Sequence, residues 1–366
     1  MIHGNLGRKL IFLLFAFFII FSLIEFIKPQ VKSSDLTGPV VVESAKGADS
    51  QVKGVETAYT NVPVGNRVVY FGMWTQGFFD PSSGTLHPEV LKAVEDKIGK
   101  RAAIAHYYRG WEELDSAGLL AEIEIIYSNG WRPMISANPY FFDRCSSGGL
   151  PFYRAIAQGR CDDYLKSVGR NLKQFAKPLF LRFAWEMNVG SMEWEIGRTG
   201  SSNEDFKAAW RKIHDVVYAE GATNVLWVFA PDVGNLNYAD IYPGDAYVDW
   251  IALDGYNWGT TQPWSQWHTF SQVFSSAYRQ ITSVSANKPL MLSEVNTTDV
   301  GGDKAGWYKD MLSDQIPNNF PAIKAVVFYN ENRESKENVN WVIDVSAESL
   351  NSFSQNIKNE IYASSF

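Results

Sequence analysis

Cysteine and histidine are scarce in this chain: of 366 residues, two are Cys and five are His. The two cysteines, Cys145 and Cys161, stand far apart in a Gly- and Ser-rich stretch with no histidine at ligand spacing, so the sequence carries no metal signature, and redox catalysis would want a closer pair. In an oxidising compartment the two can close a disulfide. Positive charge is also in short supply. Lys and Arg number 33 against 40 Asp and Glu, the net charge is -7, and no basic stripe appears, which excludes nucleic acid as a partner. No glycine-rich phosphate turn follows the first strand-like run; residues 71–77 read Phe-Gly-Met-Trp-Thr-Gln-Gly, and that excludes the dinucleotide fingerprint. What the chain has in quantity is apolar and aromatic surface: 46% hydrophobic residues and 14% aromatics, with 13 Trp. Flat apolar faces stack on pyranose rings, although large cores use Trp as well.

Three regions follow one another. Residues 1–30 hold Arg8 and Lys9 and then an apolar run from Leu10 to Ile24, with Phe26 and Ile27 beyond Glu25. This reads as an uncleaved single-pass anchor or a cleaved export signal, and either places the remaining chain outside the cytoplasm. Residues 31–65 turn to Ser, Thr, Gly, Val and Asp without amphipathic period, as a tether does. Residues 66–360 form one large domain.

Within that domain strand and helix patterns alternate. Strands are expected at 68–75, 102–108, 132–139, 178–188, 224–232, 248–258, 289–296 and 323–330, with helices at 88–100, 117–129, 161–175, 203–220, 265–285 and 304–315. Eight such alternations indicate an α/β (β/α)8 barrel, whose active face lies at the carboxyl ends of the strands.

Two of these strands end alike. Residues 178–188 read Pro-Leu-Phe-Leu-Arg-Phe-Ala-Trp-Glu-Met-Asn and residues 289–296 read Pro-Leu-Met-Leu-Ser-Glu-Val-Asn, each an apolar run closing on a glutamate. Burying a carboxylate costs several kcal/mol unless partners or a function compensate. Glu186 and Glu294, at the ends of the fourth and seventh strands, are therefore the candidate catalytic pair. Glycoside hydrolysis needs one such acid to protonate the leaving oxygen and one carboxylate to attack or to activate water. Glu186 is assigned as acid/base, its pKa raised by Trp185 and Phe183, and Glu294 as nucleophile, held ionised by Arg182 and the Tyr256 hydroxyl. The other strand ends supply candidate substrate-binding residues: Arg182, Trp185, Tyr256, Trp258, His106, Trp111, Asn138 and Phe328. The mechanism needs no cofactor and no metal.

The chain from residue 66 to 350 resembles glycoside hydrolase family 26, a β-mannanase family of retaining (β/α)8 enzymes. The resemblance rests on residues 181–188 (Leu-Arg-Phe-Ala-Trp-Glu-Met-Asn), 224–232, 247–259, 288–294 and 323–330, in that order and spacing. It implies Glu186 as the family's acid/base, Glu294 as its nucleophile, Tyr256 as the tyrosine touching the nucleophile, and Phe328 and Trp258 near the sugar platform. One departure stands out: Trp185 occupies the position before the acid/base where the family usually has His. The function expected is a retaining endo-β-glycanase with β-1,4-mannan as substrate. A mixed-linkage or 1,3-linked β-glucan or β-xylan is the alternative, and a catalytically silent polysaccharide-binding barrel is the rival from another class. The partners expected are a β-linked glycan and a membrane, reached through the amino-terminal segment, with the chain a monomer.

Overall fold

The computed structural model describes residues 67–366, so the apolar run at 10–27 and the tether lie outside the described residues. Eight parallel strands, β1 (Val69–Thr75), β2 (Ile104–Gly110), β3 (Arg132–Asn138), β4 (Leu179–Phe183), β5 (Val225–Phe229), β6 (Trp250–Asn257), β7 (Leu290–Thr297) and β8 (Ile323–Asn330), each pair with the next. β8 also pairs with β1, so the sheet closes into a ring. Helices α1 (Pro88–Ile98), α2 (Ala117–Ser128), α3 (Asp162–Phe175), α4 (Asn203–Ala219), the short α5 (Tyr238–Ile241), α6 (Phe270–Val284), α7 (Lys304–Asp310) and α8 (Ala347–Asn356) follow the strands in turn. This is the (β/α)8 barrel the alternation predicts.

Local chemistry explains the elements. β4 and β5 are buried at every position, as strands between a filled barrel and a helix layer must be. Helix starts are written in polar caps: Ser202 and Asp205 form a capping box on α4, Thr269 and Gln272 another on α6, while Ser116, Asp303 and Ser346 cap α2, α7 and α8. Gly72 in β1 answers to packing, because a Cβ there would lie 2.7 Å from the Ile104 Cβ of β2. Among the described residues no helix is long and apolar enough to cross a membrane.

Three boundaries differ from the expected ones by five residues. β4 stops at Phe183 rather than at Asn188, because the chain leaves the ladder in a left-handed turn. α6 begins at Phe270, five residues later than its pattern suggested, because Thr269 supplies the cap. Beyond Asp310, α7 widens into a π-helical stretch, Met311–Asn319, that carries Pro317 inside it.

The amino ends of the strands are closed by aromatic side chains. The Phe366 ring stacks on Tyr70 at 3.8 Å and lies 5.8 Å from Phe180, with the Arg132 guanidinium 3.4 Å from its centroid. The carboxyl ends remain for a site. Cys145 and Cys161 are bonded, with Cα atoms 4.6 Å apart, and fasten the start of α3 to the loop after β3.

Candidate active site

Glu186 lies three residues beyond β4, in a turn whose geometry is forced from both sides. The Ala184 N–H donates to the Ala137 carbonyl at the end of β3 (3.2 Å), and the Glu186 N–H donates to the Ala230 carbonyl at the end of β5 (2.8 Å). Ala184 and Glu186 both have positive φ, 49° and 53°, in the left-handed region that costs a residue with a Cβ roughly 1–2 kcal/mol. Neighbouring contacts hold this strain in place. The Trp194 indole N–H donates to the Trp185 carbonyl (2.6 Å), and the Asn188 side chain bonds the Asp232 backbone on both sides, donating to its carbonyl (2.9 Å) and accepting from its N–H (2.8 Å). The result is a carboxyl only 8% exposed, aimed from the rim of the barrel.

Glu294 is positioned by a different device. On the β6 side Leu253 pairs with Leu292 and Asp254 with Glu294; on the β8 side Val326 pairs with Leu292 and Phe328 with Val295. β7 therefore carries one extra residue between Leu292 and Val295 as seen from both neighbours, a bulge that re-aims its side chains at the barrel mouth. The Glu294 Oε1 accepts from the Tyr108 hydroxyl (2.6 Å) and from Arg182 Nη1 (2.8 Å), and its Oε2 accepts from the Tyr256 hydroxyl (2.6 Å). Beneath it Arg182, fully buried, also donates to the Asp254 carboxylate and to Ser136 Oγ (2.9 Å). The Ser136 hydroxyl and His106 Nε2 share a hydrogen bond (2.6 Å), and the Ser293 hydroxyl donates to Asp254 Oδ1 (2.6 Å). Strands β2, β3, β4, β6 and β7 thus each send one polar side chain or more into a single layer.

Electrostatics separates the two glutamates. Burial, then the Asp232, Asp254 and Glu294 charges, push the Glu186 carboxyl well above the ordinary 4.5, with Arg182 only partly opposing. Burial raises Asp232 to about 6. Glu294, by contrast, faces a guanidinium and two phenols whose own pKa values burial and the Glu294 charge drive upward, so that they remain donors. For Arg182, burial lowers the pKa, but Asp254 and Glu294 outweigh it and keep the guanidinium charged. Burial and the Arg182 charge hold His106 well below 6.5, so its ring is neutral. The arrangement sets a carboxyl pushed toward its protonated form beside one gripped by a guanidinium and two phenols.

A pH dependence of stability follows. Because its folded pKa is raised, Glu186 makes the native state bind more protons than the unfolded chain above about pH 4.5, and stability falls as pH rises toward the folded pKa. Glu186→Gln, which copies the protonated form, lacks that slope. The stability advantage of Glu186→Gln over the natural chain is expected to widen from pH 4.5 upward, read as the denaturant midpoint; a constant difference would show that the carboxyl is not perturbed.

Aromatic side chains wall the site. Trp74 stacks on Tyr329 (4.5 Å, 9°), Tyr256 lies against Trp341 (4.9 Å), and Trp185 sits between Tyr108 (5.2 Å) and Trp194 (4.5 Å). Asn296, two residues after Glu294, donates to the carbonyls of Tyr329 and Trp341 (both 2.6 Å) and so ties the wall to the nucleophile's strand.

The structure brings Glu186, Glu294, Arg182, Trp185, Tyr256 and Trp258 to this face and corrects four substrate-binding assignments. Arg182 and His106, both 0% exposed, lie beneath the carboxylates and position them instead of meeting a sugar. Trp111 is core: its ring packs on Phe183 and Tyr164, and its N–H donates to the Tyr140 carbonyl (2.5 Å). Phe328 points outward to Phe353 and Tyr308 in the helix layer; side chains alternate along a strand, so its neighbour Tyr329 faces the cleft. Asn138 ends β3 half-buried, with its Oδ1 unpartnered. Tyr108, Asp232, Asp254, Tyr329 and Trp341 were missed as site residues. Tyr108, Asp254 and Tyr329 lie in the carboxyl-terminal halves of their strands and Asp232 just beyond one; Trp341 lies in the loop after β8, where no period marks it. Among the described residues no group of three or more His, Cys, Asp or Glu side chains is set to hold a metal ion.

The sequence profile described as Glycosyl hydrolase family 26 matches residues 158–349, and Endoglucanase H of Acetivibrio thermocellus is 34% identical over 274 residues, 73% of this chain. The chain belongs to glycosyl hydrolase family 26. A family 26 match was expected from the strand-end segments, and the profile spans both Glu186 and Glu294. A mannan endo-1,4-beta-mannosidase of Bacillus subtilis is 34% identical over 192 residues, 44% of this chain. The chain spans 29% of the length of Endoglucanase H and 53% of that mannosidase. Among solved structures, a family 26 beta-mannanase from Bacteroides ovatus superposes with a TM-score of 0.60 at 19% identity, covering 81% of this chain and 90% of that one, which shows the shared fold.

Proposed function

We propose that this family 26 chain is a retaining endo-β-glycanase. The observation that carries the reading is the unequal treatment of two glutamates at one barrel mouth: Glu186 strained, buried and without a guanidinium of its own, Glu294 gripped by Arg182, Tyr108 and Tyr256. In the first step Glu294 attacks the anomeric carbon while Glu186 gives its proton to the glycosidic oxygen, releasing the leaving chain and forming a glycosyl ester on Glu294. In the second, Glu186, now a carboxylate, takes a proton from water as that water attacks the same carbon, which frees Glu294 and restores the acid. The phenols and the guanidinium hold the nucleophile in line and save its reorganisation.

For the sugar, a β-glucan is favoured by the extent of the match to a relative named an endoglucanase. β-1,4-Mannan is the second reading, supported by the relative named a mannan endo-1,4-beta-mannosidase. We further propose that the barrel works as a monomer outside the cytoplasm, held to a membrane by its amino-terminal segment. The buried Cys145–Cys161 bond suits an oxidising compartment and supports that placement.

The test is reducing-end release from a panel of soluble β-glucans, mannans and xylans by the full chain. Hydrolysis of a β-glucan with mid-chain cuts is expected. Absence of turnover on every glycan, with binding retained, would convert the protein into a polysaccharide-binding barrel.

A further inference from the structure

The loop between β6 and α6 presents Trp264, whose side chain is 71% exposed, far more than any other large apolar residue described. A lone exposed tryptophan is unremarkable, but this one ends a continuous row. From the nucleophile outward, Tyr256 donates to Glu294, Tyr256 packs on Trp341 (4.9 Å), Trp341 meets Trp258 edge-on (4.9 Å), and Trp258 meets Trp264 (5.4 Å). The row runs from a half-buried ring at the nucleophile to an open one along the catalytic face.

The loop that holds Trp264 is fixed on every side, while the indole is left uncovered. Thr261 Oγ1 donates to the Trp258 carbonyl (2.7 Å), and the Gln262 N–H donates to Ser265 Oγ (3.1 Å). Two bonds cross to the loop after β8: Gln262 Nε2 to the Glu337 carbonyl (2.5 Å) and Asn338 Nδ2 to the Thr261 carbonyl (3.0 Å). Asn338 itself has φ 54°, a strained conformation retained at this latch. Pro263 fixes φ immediately before the indole. Ordering such a loop without covering its aromatic residue is what a rigid stacking surface requires, because the entropy of immobilisation is spent before a ligand arrives.

From this we infer that Trp264 forms a remote sugar-binding subsite, on which a pyranose ring of the same β-linked chain stacks several units from the bond that is cut. The inference rests on the glycanase reading and extends it: the cleft grips a long chain, and affinity depends on chain length through Trp264.

Kinetics on substrates of increasing length test this with the natural chain, Trp264→Ala and Trp264→Phe. Trp264→Ala is expected to raise KM on polymer about tenfold, an effect that declines as the oligosaccharide shortens, with kcat changed far less than KM; Trp264→Phe restores most of the loss. Binding of cello- and manno-oligosaccharides to Glu186→Gln protein, with and without Trp264→Ala, reads the same contact without turnover, and about tenfold weaker binding of the longest chains is expected. Equal KM and equal affinity would overturn the subsite while leaving the glycanase reading intact. A natural chain that hydrolyses no glycan would sink that reading instead, and the binding arm then decides the subsite alone: a loss confined to long chains upholds it, and unchanged or undetectable binding overturns it.

Discussion

Glu294→Ala lowers kcat by about 10,000-fold or more on every glycan the natural chain cleaves, because the substitution deletes the atom that bonds to the anomeric carbon and nothing nearby replaces it. Tyr108 and Tyr256 lose their acceptor, but Arg182 keeps Asp254, so the barrel stays folded and the loss is chemical. Glu186→Ala behaves differently. It too costs several orders of magnitude on natural glycans, whose leaving oxygen needs a proton; on an aryl glycoside whose leaving group departs without one, the glycosyl ester forms and accumulates, and a small anion such as azide fits the vacated space and attacks that ester without base help, so turnover partly returns on that substrate. The checks are steady-state kinetics with and without azide and a melting curve for each variant. Unchanged hydrolysis by either variant would remove that glutamate from the mechanism.

Arg182→Met is expected to be the most damaging substitution to stability, at about 3–5 kcal/mol. The side chain is 0% exposed, and its two terminal nitrogens pair with Asp254 and Glu294 and donate to Ser136. A methionine fills most of its volume and strands two carboxylates in a closed layer; Asp254, pushed up by burial and no longer opposed by the guanidinium, takes up a proton, and Glu294 loses the donor that aligns it. Chemical denaturation of the variant measures the first effect, and the fall in its residual kcat reports the second. A midpoint within experimental error of the natural chain would show that the carboxylates do not depend on this guanidinium.

How far the sequence announced all this differs from residue to residue. The barrel was plain because each strand is an apolar run of the right length between amphipathic helices, and β4 and β5 carry that pattern without interruption. The two glutamates were plain because an acid closing such a run has few structural uses. The end of β4 was hidden: Ala184 and Glu186 give no local sign of their positive φ, which is imposed by bonds to Ala137 and Ala230 on the neighbouring strands. The sequence marks Arg182 both as the donor that holds Glu294, which it is, and as a sugar contact, and His106 as a sugar contact; only the closure of the ring shows that both lie one layer below the rim. Phe328 and Tyr329 are adjacent aromatics on one strand, and which of them faces the cleft depends on a register that the pattern of β8 alone does not specify. Trp341 joins the wall through the Asn296 amide, a contact between β7 and a distant loop.

The anomeric form of the sugar released first decides the central claim, that Glu294 bonds to the substrate and Glu186 serves both steps. Proton NMR of the full chain cleaving its preferred β-glycan should show the β anomer appearing before mutarotation supplies the α form. The α anomer appearing first would mean that water, and not Glu294, attacks the substrate directly.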